Sequence, residues 1–435
     1  MEMGIIRATG RTVMRLSAAL LCFAIPTLAA AQTPAAVRAR VQQERTPLLN
    51  TMRDLVAIES GSTDLEGLTN MATAIAARLR TLGGQVEVVD PPADHIRFDG
   101  TPPTVGRTVM ARFTGTGTSR ILLLAHMDTV YPRGSLARQP FRVEGDRAYG
   151  LGIADDKNGV ALILHTLTVL RDLGVRNYGV ITVLINADEE ISSPGSRALI
   201  TRQGAEHDFV LSCEGDSEGR LILATSGTGA LQLRVVGKAS HAGEAPDAGR
   251  NALYELAHQI LQMRDLSEPA TGRKLNWTMA NSGTARNVIP AEARATADVR
   301  VLRVADYDRL EQTVRERVKN TLIPDTTVSV NLERMRPPLE SSENALRLAT
   351  QAKRIYAEVG QTLELHEKPI GGGTDAAFAA LQTRATVVDG FGLLGFGMHS
   401  NDAEYVLISS IEPRLYLLAR MIMGIGDGSV ATGAR

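Results

Sequence analysis

The stretch RILLLAHMDTVYPRG, residues 120–134, decides how the rest of the chain is read. Its apolar run at 121–125 has the length and composition of a strand buried on both faces. That strand delivers His126 and Asp128 into the segment that follows. Side chains two apart on a strand share a face, so this imidazole and this carboxylate project into one cleft. Four more clusters of acids or histidine lie just past predicted strands or turns: Asp155-Asp156, Glu189-Glu190, Glu214 and His399.

Outward from this strand, apolar periodicity predicts helices over 34–59 and 67–82, the latter stopped by Gly83-Gly84, and short strands over 85–89 and 108–113. After it the pattern is strand, turn, helix. YGLGIADDKNG leads into a helix with apolar Val160, Leu162, Ile163, Leu167 and Leu170. VITVLINADEE is a strand that opens into acids, and DFVLSCEG is another that ends at Glu214. Buried strands alternating with helices predict an α/β layer structure, with function at the carboxyl ends of the strands. Near Thr225 the character changes. GALQLRVVGKASHAG and NVIPAEARATADVRVLR alternate as strands with one solvated face, accompanied by helices over 249–264 and 306–320. Residues 226–337 therefore read as an inserted α+β domain, dividing an α/β domain into 32–225 and 338–435.

The chain has 435 residues, which exceeds the usual size of one core. Its net charge of -1, with both signs well mixed, gives no case for a nucleic-acid surface. The N-terminus has the pattern of a signal peptide over 1–31: Arg7, Arg11 and Arg15, an apolar segment at 16–28, then Ala29-Ala30-Ala31. The segment is short for a membrane span, so the expectation is a periplasmic or secreted protein without stable membrane association. Cys22 lies in that leader, which leaves Cys213 and no internal disulfide in the mature chain.

Two histidines with several carboxylates suit hard-to-borderline divalent cations, and too few cysteines exist for a thiolate site. Two metals a few ångströms apart need a shared ligand, which a carboxylate provides; Asp155 is the candidate. Asp156 is then either a support for the ligands or a turn cap. Of the adjacent acids Glu189 and Glu190, one can ligate metal while the other moves a proton. Asp128 is better suited to orient the His126 ring than to bind metal. Taken singly, each cluster also has an ordinary reading as a cap, a helix start or a surface acid.

HMDTV, GIADDKNG, ADEE, Glu214 after its strand, GKASHAG, GGGTDAA and GFGMHS occur in this order, and the chain closely resembles the M20 family of dinuclear zinc amidohydrolases, its bacterial glutamate carboxypeptidases in particular. The resemblance implies a zinc-exopeptidase catalytic domain with a mixed sheet flanked by helices, an inserted lid and dimerisation domain, and two zinc ions. It implies His126 and Glu214 on one zinc, Glu190 and His399 on the other, and Asp155 bridging, with a cis bond between Asp155 and Asp156. Glu189 becomes general base and then acid, and Asp128 supports His126. His241 in SHAG would polarise the scissile carbonyl or steady the oxyanion, in cis or across a homodimer. Asn287 and Arg300 match positions that grip a terminal carboxylate, and Gly372, Gly373 and Thr374 add backbone contacts. Arg220 is a candidate to reach the second carboxylate of a glutamate side chain, although Cys213 stands where a larger apolar or aromatic residue is expected.

The implied reaction is hydrolysis of the amide bond to a C-terminal glutamate in folate-like, N-acyl-glutamate or peptide substrates. Two other readings remain open on these residues. One is a broad N-acyl-amino-acid amidohydrolase or dipeptidase; the other is a non-catalytic, zinc-dependent peptide-binding protein.

Overall fold

The computed structural model describes residues 32–400 and 403–430, with the isolated residues 1 and 4. The signal-peptide pattern lies outside the described residues. In chain order the main strands are β1 (Gln85–Val89), β2 (Thr108–Thr114), β3 (Arg120–His126), β4 (Val180–Asn186), β5 (Phe209–Ser212), β6 (Gly227–Val236), β7 (Lys274–Ser282), β8 (Glu292–Val301), β9 (Thr327–Arg336) and β10 (Thr386–Val388). The main helices are α1 (Pro34–Val56), α2 (Leu65–Thr81), α3 (Asn158–Asp172), α4 (Arg197–Glu206), α5 (Ala252–Gln262), α6 (Val304–Arg317), α7 (Glu343–Ala357) and α8 (Ile411–Asp427).

A six-stranded mixed sheet runs in the order β1-β2-β4-β3-β5-β10. β3 pairs in parallel with β4 and β5 on either side, while β2 meets β4 antiparallel. The continuous apolar run of β3 is explained by burial of both faces. Ile121, Leu123 and Ala125 pack into a core with α1, α2, α3, α7 and α8, and Leu122 and Leu124 pack against Leu199, Ile200 and the short helix Ala376–Ala379. One residue of slip would exchange these two sets of side chains, so the register His126↔Asn186 is strongly specified. That register brings the ends of β3 and β4 level, and the loops beyond them share one edge of the sheet.

The second sheet, β7-β8-β6-β9, is antiparallel throughout. β8 alternates buried and more exposed residues, as a sheet with one covered face requires. Its apolar face packs on α5 and α6 through Leu231, Leu233, Val235, Ala295, Ala297, Val299, Leu256 and Leu310. Cys213 is a free, buried cysteine. Among the described residues no helix is long and apolar enough to cross a membrane.

Candidate active site

The exit of β3 supplies the first donors. His126 Nδ1 lies 3.1 Å from the backbone oxygen of Asp128 and 3.4 Å from its Oδ1, so Nδ1–H donates there and Nε2 faces the cleft. The buried Asp128 carboxylate does more than orient this ring. Oδ1 accepts the Glu189 N–H at 3.0 Å, while Oδ2 accepts the Glu190 N–H at 3.1 Å and the Ser62 hydroxyl at 2.8 Å. One carboxylate thus sets both the histidine and the 3₁₀ turn Glu189–Ile191 that follows β4. Asp375 supports that turn from below by accepting from Asn186 Nδ2 at 2.6 Å and from the Ser193 hydroxyl.

Two groups of ligating atoms converge here. In one, His126 Nε2 is 2.9 Å from Asp155 Oδ1 and 3.6 Å from Glu214 Oε1. In the other, His399 Nε2 is 3.2 Å from Asp155 Oδ2 and 3.1 Å from Glu190 Oε2. Ligands placed tetrahedrally at zinc's bond lengths lie about 3.3 Å from one another, so these separations are those of ligand edges. The oxygens of Asp155 therefore point one into each group. Asp156 also brings an oxygen within 4.8 Å of the His126 and Glu214 donors. Its Oδ1 accepts the Gly159 N–H at 3.1 Å, whereas its Oδ2 is buried without a hydrogen-bond partner among the described residues. The peptide bond between Asp155 and Asp156 is cis. With two imidazoles, a shared carboxylate and no thiolate among its donors, the arrangement fits a dizinc site.

The electrostatics agree with a cation site. Burial opposes charge on His126, but Glu214, Asp128 and Asp155 outweigh it and raise its pKa well above the usual value. Hydrogen bonds to Asp155 and Glu190 push His399 up to about 10. Burial raises Asp155, yet the two imidazoles hold its carboxyl below the ordinary range. Burial pushes Glu214 up to about 7 and also raises Glu190, with the Asp155 charge adding to it. So much negative charge collected in one buried place favours either protons or metal.

Glu189 stands beside these donors but in neither group. Its Oε1 is 2.5 Å from Arg336 Nη1, and Arg336 Nη2 donates to the Glu189 backbone oxygen at 2.5 Å. Burial drives the Glu189 carboxyl well up, and Arg336 opposes the rise. Sequence reading missed Arg336, which ends β9 just before Pro337-Pro338; the only signal was an arginine at the return from the inserted unit. Gly373 lets it lie flat, since a Cβ there would come 2.6 Å from Arg336 Cδ.

The cleft has a volume of about 600 Å³, and its walls include Asp155, Glu189, Glu190, Glu214 and His399. Arg300, Gly372, Gly373 and Thr374 also line it. Arg300 is bonded to Asp298 by Nε and Nη2, at 3.0 and 2.9 Å, and to the Gly371 oxygen at 3.1 Å. Arg220 reaches the cleft only through Asp216, whose carboxylate it holds at 3.0 Å. His241 and Asn287 do not line this cleft. They sit together on the second unit, where His241 pairs with Val288 and the Asn287 oxygen accepts the Ala242 N–H at 2.8 Å. His241 Nδ1 accepts from the Gly243 and Glu244 N–H groups, which leaves Nε2 outward on an exposed ring.

Fold and site together define a metal-dependent hydrolase of the exopeptidase and amidohydrolase type. The chain belongs to peptidase family M20/M25/M40, whose model matches residues 122–424. It is 44% identical to carboxypeptidase G2 of Pseudomonas sp. (strain RS-16) over 387 residues, 88% of this chain and 91% of that protein. Acetylornithine deacetylase of Photorhabdus laumondii is 28% identical over 278 residues, 59% of this chain and 68% of its own length. Among solved structures, aminopeptidase PepT of Bacillus cereus ATCC 10987 superposes with a TM-score of 0.70 at 22% identity. That match covers 88% of this chain and 98% of PepT, and it shows the fold.

Proposed function

We propose that this protein releases a C-terminal glutamate from folate-like, N-acyl-glutamate or peptide substrates. The observation that carries the reading is the cleft itself, lined by donors of both metal groups and by Glu189, Arg300 and Arg336. A carboxylate held by the arginines would set the neighbouring amide bond against the donors. Guanidinium groups suit that task through their paired N–H donors.

In this reading His126 and Glu214 would hold one zinc, Glu190 and His399 the other, and Asp155 would serve both. Zinc bound there would supply Lewis acidity to the hydrolysis. Glu189 would take a proton from the attacking water and return it to the leaving amine. Arg336 balances its charge, and Asp128 keeps the Glu189 turn and the His126 ring in place. Gly372, Gly373 and Thr374 offer backbone contacts to the bound carboxylate. Arg220 supports the cleft by fixing Asp216.

The division into a catalytic unit (32–225 and 338–435) and a lid over 226–337 belongs to the proposal, as does a homodimer. Exposed Leu253, Tyr254 and Leu261 on α5 support a partner surface. The outward Nε2 of His241 supports delivery of His241 and Asn287 into the cleft of a second copy. Export is supported by the basic, apolar and small-residue pattern of 1–31.

A second reading, a broad N-acyl-amino-acid amidohydrolase or dipeptidase, is favoured by the committed guanidinium groups. Arg300 is already paired with Asp298 and Arg220 with Asp216. The zinc-loaded protein is to be tested on folate, N-acyl amino acids and dipeptides. Strong preference for C-terminal glutamate beneath a bulky aromatic acyl group supports the first reading; equal rates for leucine or alanine establish the second. Glu189→Gln should keep the fold and both zinc ions while losing most turnover, and near-normal turnover would remove Glu189 from its role.

A further inference from the structure

Segments that carry three of the donors meet at one buried acid outside the donor set. Glu404 is fully buried, five residues beyond His399. Its Oε2 accepts the Gly152 N–H at 2.9 Å and its Oε1 the Ala154 N–H at 2.8 Å, on the turn that runs directly into Asp155. Tyr131, five residues beyond His126, donates its hydroxyl toward Glu404 Oε2 at 2.5 Å and the Ser400 oxygen at 2.9 Å. The Glu404 backbone oxygen in turn accepts the Gly150 N–H at 3.2 Å. The exit of β3, the Asp155 turn and the segment after His399 therefore share one set of hydrogen bonds.

Strand pairing alone does not do this. The bridges between Tyr405–Leu407 and Arg147–Tyr149 hold the neighbouring backbone, but they stop at Tyr149, short of the Asp155 turn. Gly152 also bends through a left-handed conformation, φ 69°, so the path from Tyr149 to Asp155 is not set by a regular element. Among the described residues, the hydrogen bonds from Gly152 and Ala154 to the segment around His399 are the two to the Glu404 carboxylate, and Gly395 packs against Ala154 beside them.

We propose that Glu404, with Tyr131, is the positioning residue that sets the donor spacing of the two-metal site, by locking the Asp155 turn to the His126 and His399 segments. The proposal rests on the dizinc reading of the site. Two separated donor groups share Asp155, and a site of this kind tolerates displacements of only about 0.5 Å. Loosening Glu404 therefore acts on zinc affinity and on turnover together, while leaving the carboxylate-binding wall of the cleft in place.

The test uses the full-length protein and its Glu404→Gln and Tyr131→Phe variants. Zinc affinity is measured by competition with a chromogenic chelator, kcat and KM are measured separately, and melting is followed in the metal-free state. Each variant should bind zinc about 10–100-fold more weakly, the usual cost of losing a group that orients metal ligands. kcat should fall with KM within about twofold, because the arginines are untouched. Tyr131→Phe keeps the ring and its volume, so it reports even if Glu404→Gln folds poorly. Wild-type zinc affinity in both variants would overturn the proposal while leaving the dizinc reading intact. A loss of affinity that only follows a collapse of the metal-free fold would overturn it too. Failure of the unaltered protein to take up two zinc ions would remove the dizinc reading, and this proposal with it.

Discussion

Replacing Asp128 with asparagine isolates the carboxylate that organises both halves of the site. The side chain is fully buried and keeps its shape in the variant, so packing is unchanged. Its two oxygens serve one backbone N–H each from the acid turn, at 3.0 Å to Glu189 and 3.1 Å to Glu190. An amide has only one acceptor oxygen. Whichever way it is turned, its NH₂ faces either the Glu189 N–H and His126 Nδ1, or the Glu190 N–H and the Ser62 hydroxyl. One backbone N–H of the turn therefore loses its acceptor inside the protein. A hydrogen bond to a charged group contributes about 1.5–3 kcal/mol, and the surviving bond to a neutral oxygen is roughly half as strong as before. The expected loss is about 2–4 kcal/mol, concentrated on the turn that carries Glu189 and Glu190. Zinc affinity should fall about 10–100-fold, and kcat/KM at limiting zinc should fall with it. A chelator-competition titration with steady-state kinetics on the Asp128→Asn protein reads both. Zinc affinity and turnover within twofold of the unaltered protein would refute the organising role.

Arg336→Gln leaves Glu189 buried beside an uncharged group, so the Glu189 carboxyl should rise further. kcat/KM should drop about 10–100-fold and the acid limb of its pH profile should move upward, an effect of about 1.5–3 kcal/mol; an unshifted limb would argue against the pair. In the metal-free protein His399 is raised to about 10, and His126 is raised as well, so both carry protons at neutral pH. Zinc requires neutral imidazole, so its uptake should release protons. Apparent affinity should then climb between pH 6 and 8 by up to about tenfold per unit for each proton displaced, which calorimetry in buffers of different ionisation enthalpy measures. Burial pushes Glu404 from 4.5 up to about 7, against the opposing hydrogen bond from Tyr131. The folded metal-free protein then binds this proton more tightly than the unfolded chain does. Its contribution is fully present below 4.5 and is lost as pH rises through about 7, by up to about 3 kcal/mol. Urea midpoints of chelated protein at pH 5 and pH 8 should differ in that sense, and Glu404→Gln should reduce the difference.

Much of the catalytic layer could be read from residue order alone. A strand buried on both faces must be a continuous apolar run, and an acid or histidine just past such a run must emerge at the sheet edge. This is why His126, Glu189, Glu190 and Glu214 were legible, and the carboxylate chemistry of Asp155 with them. The pairing of Arg336 with Glu189 was not legible, because 147 residues separate the partners. It depends on where β9 returns from the inserted unit, which no local pattern encodes. Glu404 carries the same lesson. No motif singled it out, and the meeting of Tyr131, Gly152 and Ala154 around it gives it a task. His241 and Asn287 show the converse, since residues picked out by motif lie outside the cleft of their own chain. Residue order controls which groups leave the strands, through burial and the two-residue period. Which of those groups then meet is decided by the strand order β4-β3-β5 and by the path of the inserted unit, since both join segments far apart along the chain.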